Sequence, residues 1–369
     1  MIDLSAPLPT MDRAARLERV RAQLTAHDLD AMWVTTPVNV RWLTGFVASN
    51  AAVMVTLDDV VVATDDRYRT QLAADLERFG LAELVTPVMA PNFEPAFAGL
   101  DGTTIGVEAD HLTMAARAQL DQWVDATIEP TNGSVAGLRQ VKEPAEVARL
   151  ERAAAIADVA LAELFTTVEV GDTERDLARR IERHMLDLGA EDRSYETIVA
   201  TGPNAALPHA RPSGRAIEAG DFLLIDVGAK VDGYGSDMTR TIVVGAEPTD
   251  EQRRWWHAVE AAQAAGVALV AAGVEVLAVD QRCREVLAEH DLAEAFIHGT
   301  GHGIGLEIHE QPIVSPRSVG ILPAGLVVTV EPGVYLPGQG GVRIEDSVVV
   351  TDDGCRPITR SPKTITPPA

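Results

Sequence analysis

LLIDVGAKVDGYGSDMTRT, residues 223–241, predicts two strands joined by a tight turn. The apolar run before Asp226 is typical of a buried strand, Asp232-Gly233 is a hairpin signal, and the residues after Asp237 predict the return strand. Paired strands lie about 5 Å apart, so the hairpin would bring Asp226 and Asp237 side by side. Unpaired carboxylates are costly to bury, and a metal pair would remove that cost.

Three later segments carry side chains of the same kind. They are HGTGHGIGLEIHE with His302, VTVEPGVY with Glu331, and GVRIEDSV with Glu345. Each acid lies on or beside a predicted strand, and Arg343 shares a strand face with Glu345. Together with the two aspartates they form an oxygen-rich set with one imidazole. Such a set suits two divalent cations that share bridging carboxylates, with positions open for water. The context favours one metal site over five separate surface or capping residues.

These segments resemble the pita-bread metallopeptidases, the family of methionine aminopeptidase, aminopeptidase P and prolidase. The resemblance covers most of the chain and implies a curved antiparallel sheet with outer helices around two metal ions. Asp226 would chelate one ion. His302 and Glu331 would bind the other. Asp237 and Glu345 would bridge the ions, and a water or hydroxide between them would be the nucleophile.

Three further histidines recur where the Xaa-Pro-cleaving branch of the family has active-site histidines. The resemblance implies that His209, in GPNAALPHARPSG, and His309 donate hydrogen bonds to the scissile peptide and the tetrahedral intermediate. His298 would line the same pocket. A lone histidine is more often structural, and that alternative carries more weight for His298 than for the other two.

Other polar side chains have further expected duties. Glu331 would also carry a proton to the leaving nitrogen, because prolyl nitrogen leaves poorly unless it is protonated. Arg343 would either orient a metal ligand or hold a substrate carboxylate. Tyr234 matches an active-site tyrosine of the family, although a packed hairpin aromatic would explain it equally well.

Two domains are expected, and the predicted fold class is α+β. Residues 1–131 alternate predicted helices and strands, which favours a small α/β domain. Within them, WLTGFVASNAAV and ATDDRYRTQLA resemble the amino-terminal domain shared by prolidase, aminopeptidase P and creatinase. Residues 131–137 predict a linker, and residues 139–369 the pita-bread catalytic domain, opening with a long helix at Pro144.

Composition limits the class of protein. The 369 residues carry 55 acidic against 31 basic side chains, a net charge of −24, which would repel nucleic acid and anionic membranes. Two cysteines exclude a disulfide framework. The first residues lack the pattern of a signal peptide, and no apolar run reaches the ~18 residues of a membrane span. We therefore expect a cytoplasmic enzyme.

The function that the resemblance implies is hydrolysis of the Xaa-Pro bond, with dipeptides as the favoured substrates. An aminopeptidase P-like activity on longer peptides stays open, as does a non-peptide substrate. A non-catalytic pita-bread binding module is the remote alternative, because such modules lose metal ligands that this chain keeps. Two divalent ions are expected per chain, manganese first, with cobalt, zinc or iron as alternatives. Family precedent favours a homodimer.

Overall fold

The computed structural model describes residues 4–367 as two compact units. One unit comprises Thr10–Arg139, and the other begins at Gln140 and includes residues 4–9. Leu4 and Leu8 pack against an apolar cluster of the second unit, so residues 4–9 belong to that unit and not to the predicted domain 1–131.

The unit Thr10–Arg139 is built on a six-stranded mixed sheet. Its strands are β1 (Ala31–Val34), β2 (Ala51–Thr56), β3 (Val60–Thr64), β4 (Thr86–Met89), β5 (Thr104–Glu108) and β6 (Thr127–Thr131). They lie in the order β4-β3-β2-β1-β5-β6. The pairs β1–β2 and β2–β3 are antiparallel, and the pairs β1–β5, β3–β4 and β5–β6 are parallel. The helices are α1 (Arg13–Ala26), α2 (Pro37–Thr44), α3 (Arg69–Arg78), α4 (Met114–Trp123) and α5 (Ser134–Gln140).

Helix α5 occupies most of the segment that composition predicts to be a linker. Val135 and Arg139 are four residues apart and both are buried, as expected for one face of a helix. Arg139 Nη1 donates a hydrogen bond to Asn39 Oδ1 at 2.6 Å. Contacts distant in sequence therefore outweigh the glycine and serine content of this segment, and the predicted linker is wrong in its second half.

In the described residues of the second unit, all strand pairings are antiparallel. The strands are β7 (Asp192–Arg193), β8 (Ile198–Thr201), β9 (Phe222–Val227), β10 (Ala229–Val231), β11 (Tyr234–Gly235), β12 (Met238–Val243), β13 (Gly301–Gly303), β14 (Glu310–Val314), β15 (Val327–Val330), β16 (Gly333–Leu336), β17 (Gly340–Arg343), β18 (Asp346–Thr351) and β19 (Gly354–Pro357). Neighbours in the sheets follow the orders β12-β9-β8, β11-β10-β7, β14-β13-β15-β18-β19 and β16-β17.

This unit has four α-helices in the described residues, and the first begins at Pro144 as the sequence predicts. They are α6 (Pro144–Thr167), α7 (Glu174–Asp187), α8 (Asp250–Leu269) and α9 (Val276–Glu289). Pro144 is at the start of α6, where its missing N–H group has no helical partner to lose, and Glu143 and Glu146 form a capping box. Within residues 4–367, no helix is both long enough and hydrophobic enough to cross a membrane.

Strand β9 is buried on both faces. Leu224 belongs to the apolar cluster that includes α8 and α9, whereas Leu223 and Ile225 belong to the cluster that includes α6 and α7. Because side chains alternate along a strand, Asp226 points to the same face as Leu224. Two layers of helices thus fix the strand that carries this acid, and each fully buried leucine or isoleucine contributes ~1.5–3 kcal/mol.

Candidate metal centre

A cavity of about 440 Å³ brings most of the predicted site residues together. Its lining includes every predicted metal ligand, all three predicted active-site histidines and the predicted arginine: Asp226, Asp237, His302, Glu331, Glu345, His209, His298, His309 and Arg343. They come from β9, β13, β17 and the segments between strands. Tyr234 does not line it.

The hairpin that carries the two aspartates has the predicted geometry. Val227 on β9 pairs with Met238 on β12, so Asp226 and Asp237 lie next to each other at the ends of paired strands. Gly228 follows directly, and a Cβ atom there would lie 1.9 Å from the carbonyl oxygen of Ser236. Only glycine allows the two backbones to approach this closely beside the acids.

Tyr195, which the sequence did not single out, takes the position expected for Tyr234. Its hydroxyl donates to the carboxylates of Asp226 and Asp237, 2.6 Å from Asp237 Oδ1. Burial, reinforced by the charge of Asp226, raises the pKa of Tyr195 well above its usual value, so the hydroxyl keeps its proton at neutral pH. Tyr234 instead donates to Glu146 Oε1 on α6 at 2.8 Å. The structure therefore corrects the placement of Tyr234.

His302 is held as a neutral imidazole with one nitrogen facing the acids. Its Nε2 atom lies 3.5 Å from Asp237 Oδ2 and 3.5 Å from Glu331 Oε1. Its Nδ1 atom lies 3.1 Å from the carbonyl oxygen of Gly303, which assigns the proton to Nδ1. Burial, and then the neighbouring His309, lowers the pKa of His302 to about 4. Nε2 is thus free to ligate a metal, while Nδ1–H fixes the ring.

The backbone around His302 is unusually close to its neighbour. A Cβ atom on Gly301 would lie 2.0 Å from the carbonyl oxygen of Thr329 on β15. The glycine before His302 therefore permits β13 to lie tightly beside the strand that leads to Glu331.

The carboxylates have too few positive partners of their own. Glu345 is buried, and its Oε2 atom accepts from Thr239 Oγ1 at 2.8 Å, but its Oε1 atom has no hydrogen-bond partner among the described residues. Burial, and then the neighbouring acids, raises the pKa of both Asp237 and Glu345 well above the usual range. One ligand atom from each of Asp237, His302 and Glu345 lies within 4.8 Å of the others. This donor set fits divalent cations, which would satisfy the orphaned oxygen and neutralise the acids.

The contacts of Arg343 favour the first of its two predicted duties, which is to orient a metal ligand. Nη2 donates to Asp226 Oδ2 at 2.7 Å and Nε donates to Thr239 Oγ1 at 3.0 Å. Nη1 donates to the Tyr335 hydroxyl at 2.8 Å and to the carbonyl oxygen of Pro208 at 3.2 Å. All three guanidinium nitrogens therefore donate to protein groups, and four of the five N–H donors of Arg343 are used in this way.

His298 ends the hydrogen-bond chain that starts at Arg343. Burial, and then the charge of Arg343, lowers the pKa of His298 to about 4, so the ring is neutral. Its Nε2 atom accepts from Tyr335 at 2.8 Å and its Nδ1 atom donates to the carbonyl oxygen of Gly299 at 2.7 Å. Both nitrogens are engaged, so His298 holds the cavity wall in place.

His309 and His209 also line the cavity, beside the acids. The ring of His309 meets that of His302 edge to face, with centroids 4.4 Å apart. Burial, and then His209, lowers the pKa of His309, which keeps it neutral near pH 7.

Glu174 anchors the segment that carries His209. This glutamate is fully buried at the start of α7. Its Oε1 atom accepts from the Thr201 amide at 2.8 Å and from Asn204 Nδ2 at 2.9 Å, and its Oε2 atom accepts from the Ser213 amide at 2.9 Å and its hydroxyl at 2.6 Å. One carboxylate thus holds both ends of residues 204–213. Nothing in the sequence pattern signals this contact.

Glu174→Gln is expected to lower the kcat of a reaction in this cavity by up to ~10²-fold while bound metal stays at the wild-type level, because small displacements of a side chain that contacts reacting atoms, as predicted for His209, have effects of that size. The amide NH2 group would face donors of the segment in place of an acceptor, so the melting temperature should also fall. Steady-state kinetics and metal analysis on the same preparation measure the effect. Glu182→Gln, on the same helix and paired with Arg193 at the surface, is the matched control. A lower melting temperature with unchanged kcat would reduce Glu174 to a structural role.

Comparisons with known proteins agree with this geometry. The family model of metallopeptidase family M24 matches residues 148–352, and that of the creatinase/prolidase N-terminal domain matches residues 16–141. An uncharacterized peptidase of Bacillus subtilis is 37% identical, over 94% of this chain and 98% of its own. A solved Xaa-Pro dipeptidase from Bacillus anthracis has a TM-score of 0.90 at 35% identity, covering 96% of this chain and 99% of its own.

A solved X-Pro aminopeptidase from Thermotoga maritima has a TM-score of 0.86 at 30% identity, covering 95% of this chain and 99% of its own. These matches confirm the predicted pita-bread fold and its creatinase-like amino-terminal domain. The protein is a hydrolase, and the chain belongs to metallopeptidase family M24.

Proposed function

We propose that this protein hydrolyses the peptide bond before proline, with dipeptides as preferred substrates and two divalent metal ions as cofactors. The observation that carries the proposal is the convergence, in one cavity, of five metal-ligand side chains with His209 and His309. The likeness to the Bacillus anthracis Xaa-Pro dipeptidase supports the substrate class. In this proposal Asp226, Asp237, His302, Glu331 and Glu345 hold the metal ions.

Divalent ions bound there would neutralise the buried acids, polarise the scissile carbonyl and make water nucleophilic near neutral pH. The protein's own contribution is to fix the ligands. Tyr195 and Arg343 set the positions of Asp226 and Asp237, and Thr239 orients Glu345. Preorganised ligands need no rearrangement as charge develops on the substrate.

Glu331 is suited to moving a proton. Burial raises the pKa of its carboxyl to about 7, and the charge of Arg343, 3.9 Å from Oε2, limits the rise. A carboxylate at this position can act first as a base and then as an acid. It would take the proton of the attacking water and deliver it to the prolyl nitrogen as the peptide bond breaks.

His209 and His309 would stabilise the charge that forms on the carbonyl oxygen. A neutral imidazole donates one N–H, and His309 is kept neutral by burial. Donors fixed at the cavity wall act on the transition state more strongly than donors in water.

A second candidate is an Xaa-Pro aminopeptidase that acts on longer peptides, which the likeness to the Thermotoga maritima X-Pro aminopeptidase favours. The contacts of Arg343 with Asp226 and Tyr335 give no support to Arg343 as the basis of a dipeptide preference. Manganese as the native ion, the homodimer and the cytoplasmic location stay predictions.

A substrate panel on metal-loaded protein tests the proposal. We expect the order Ala-Pro, then Ala-Pro-Ala-Ala, then Ala-Ala in kcat/KM, and no activity after chelation until metal is returned. Chelation is expected to abolish activity because, without cations, the acids cannot hold the nucleophilic water. Faster cleavage of the tetrapeptide would assign the aminopeptidase activity. Full activity of protein verified to be free of metal would reject the metal mechanism, and cleavage of no peptide would reject peptide hydrolysis.

A further inference from the structure

Two arginines line the cavity in the described part of the chain, and they differ in availability. Arg343 is buried, and each of its three guanidinium nitrogens donates to a protein group. The side chain of Arg211 is 84% exposed, and its ion-pair partner is Glu196, with Nε and Oε2 3.4 Å apart. Glu196 is itself 55% exposed. An ion pair this open to water is weak, so Arg211 can exchange Glu196 for another carboxylate with little loss.

The backbone of Arg211 is nevertheless fixed. Arg211 lies two residues after His209, within the segment 204–213 whose two ends Glu174 holds. One anchored segment therefore carries both His209, which is proposed to contact the scissile peptide, and the exposed guanidinium of Arg211. This combination suits recognition of a charge a short distance from the reacting bond.

A dipeptide offers such a charge. Its terminal carboxylate lies one residue beyond the scissile bond, where a longer peptide has a neutral amide. A guanidinium matches a carboxylate with two parallel N–H donors, which makes arginine well suited to this distinction.

We propose that Arg211 binds the C-terminal carboxylate of dipeptide substrates and thereby determines the preference for dipeptides over longer peptides. This inference rests on the proposed function, since it assigns the recognition step of the same reaction. Arg211 contacts no metal ligand in the described structure and takes no part in the chemical step.

The test compares Ala-Pro with its C-terminal amide, Ala-Pro-NH2, on metal-loaded wild-type protein and the Arg211→Ala and Arg211→Lys variants. For Arg211→Ala we expect KM for Ala-Pro to rise about tenfold or more, as charge-assisted hydrogen bonds of this kind imply. Its kcat and metal content should stay within about twofold of wild type, and KM for the amide should not change. The KM of Arg211→Lys for Ala-Pro should lie between those of wild type and Arg211→Ala, because lysine keeps the charge but loses the paired donors.

Arg179→Ala is the matched control, because Arg179 is 70% exposed, has a similarly loose partner in Asp176 and does not line the cavity. An equal rise in KM for Ala-Pro and Ala-Pro-NH2 in Arg211→Ala would show that Arg211 only shapes the segment, and it would overturn the inference. An unchanged KM of Arg211→Ala for both substrates would show that another group binds the carboxylate, and this too would overturn the inference. Failure of the wild-type protein to cleave either substrate would instead reject the proposed function.

Discussion

Asp237→Ala and Glu345→Ala are each expected to abolish hydrolysis of Ala-Pro by several orders of magnitude and to lose bound metal. Both carboxylates lie in the closest cluster of ligand atoms, together with His302, and Glu345 has a buried oxygen with no partner in the described structure. In the proposed centre each serves both ions, so no neighbour replaces it. The measurements are kcat/KM at saturating metal and the metal content of the same protein after desalting.

The matched control is Asp352→Ala, which removes an exposed acid shortly after Glu345 and should keep both activity and metal. Asp237→Asn separates charge from shape, since it keeps the volume and one oxygen, and it should also fail. A variant at either position that retains more than a tenth of wild-type turnover and a full complement of metal would show that the residue does not bridge the ions.

His309→Ala and His209→Ala are expected to keep their metal and to lose ~10²–10³-fold in kcat, the usual effect of removing one donor to the reacting carbonyl. The reason is their placement: both line the cavity, but neither belongs to the cluster of closely spaced ligand atoms. Turnover of Ala-Pro and metal content, measured on the same samples, separate this role from ligation.

His257→Ala on α8 is the control, because His257 is exposed and its partner is Glu260 on the same helix. Loss of metal in proportion to loss of activity in either active-site variant would identify that histidine as a ligand. Wild-type kcat with an altered KM would make it a binding residue for the substrate.

Local pattern was enough to place the hairpin. The apolar run before Asp226, the Asp232-Gly233 turn and the return strand are short-range signals, and their geometry follows from the strand period of two. The glycines that flank His302 are visible in the sequence, but the sequence does not show why glycine is needed there. For Gly301 the reason is the close approach of Thr329, which is distant in sequence, and for Gly303 it is the approach of Gln311.

The site residues that the sequence missed are defined by contacts between distant segments. Tyr195 precedes β8 without any recognisable pattern, and its role appears only when β9 and β12 bring the two aspartates beside it. Thr239 carried a faint signal, since it lies two residues after Asp237 and so shares its strand face. Tyr234 lies three residues before Asp237, and an odd spacing in extended chain places it on the opposite face.

The sequence identified Arg343 but left two duties open for it. A pattern shows that a guanidinium shares a face with Glu345, whereas its partners, Asp226 on β9 and the carbonyl oxygen of Pro208, are brought to it only by the fold. The same limit applies to Glu174, whose buried carboxylate would read as an ordinary acidic residue at a helix start.

The ion pair between Arg343 and Asp226 also bears on how the chain folds. Its two partners are separated by 117 positions, and Thr239 and Glu345 by 106. During synthesis the amino-terminal segments emerge first, so β9 and β12 are made long before the arginine that neutralises their acid. Until β17 is added, the hairpin must either keep its carboxylates in water or bury them protonated. The catalytic unit is therefore completed from its carboxyl-terminal end, and a chain that stops short of Arg343 would lack the charge that allows its first strands to close.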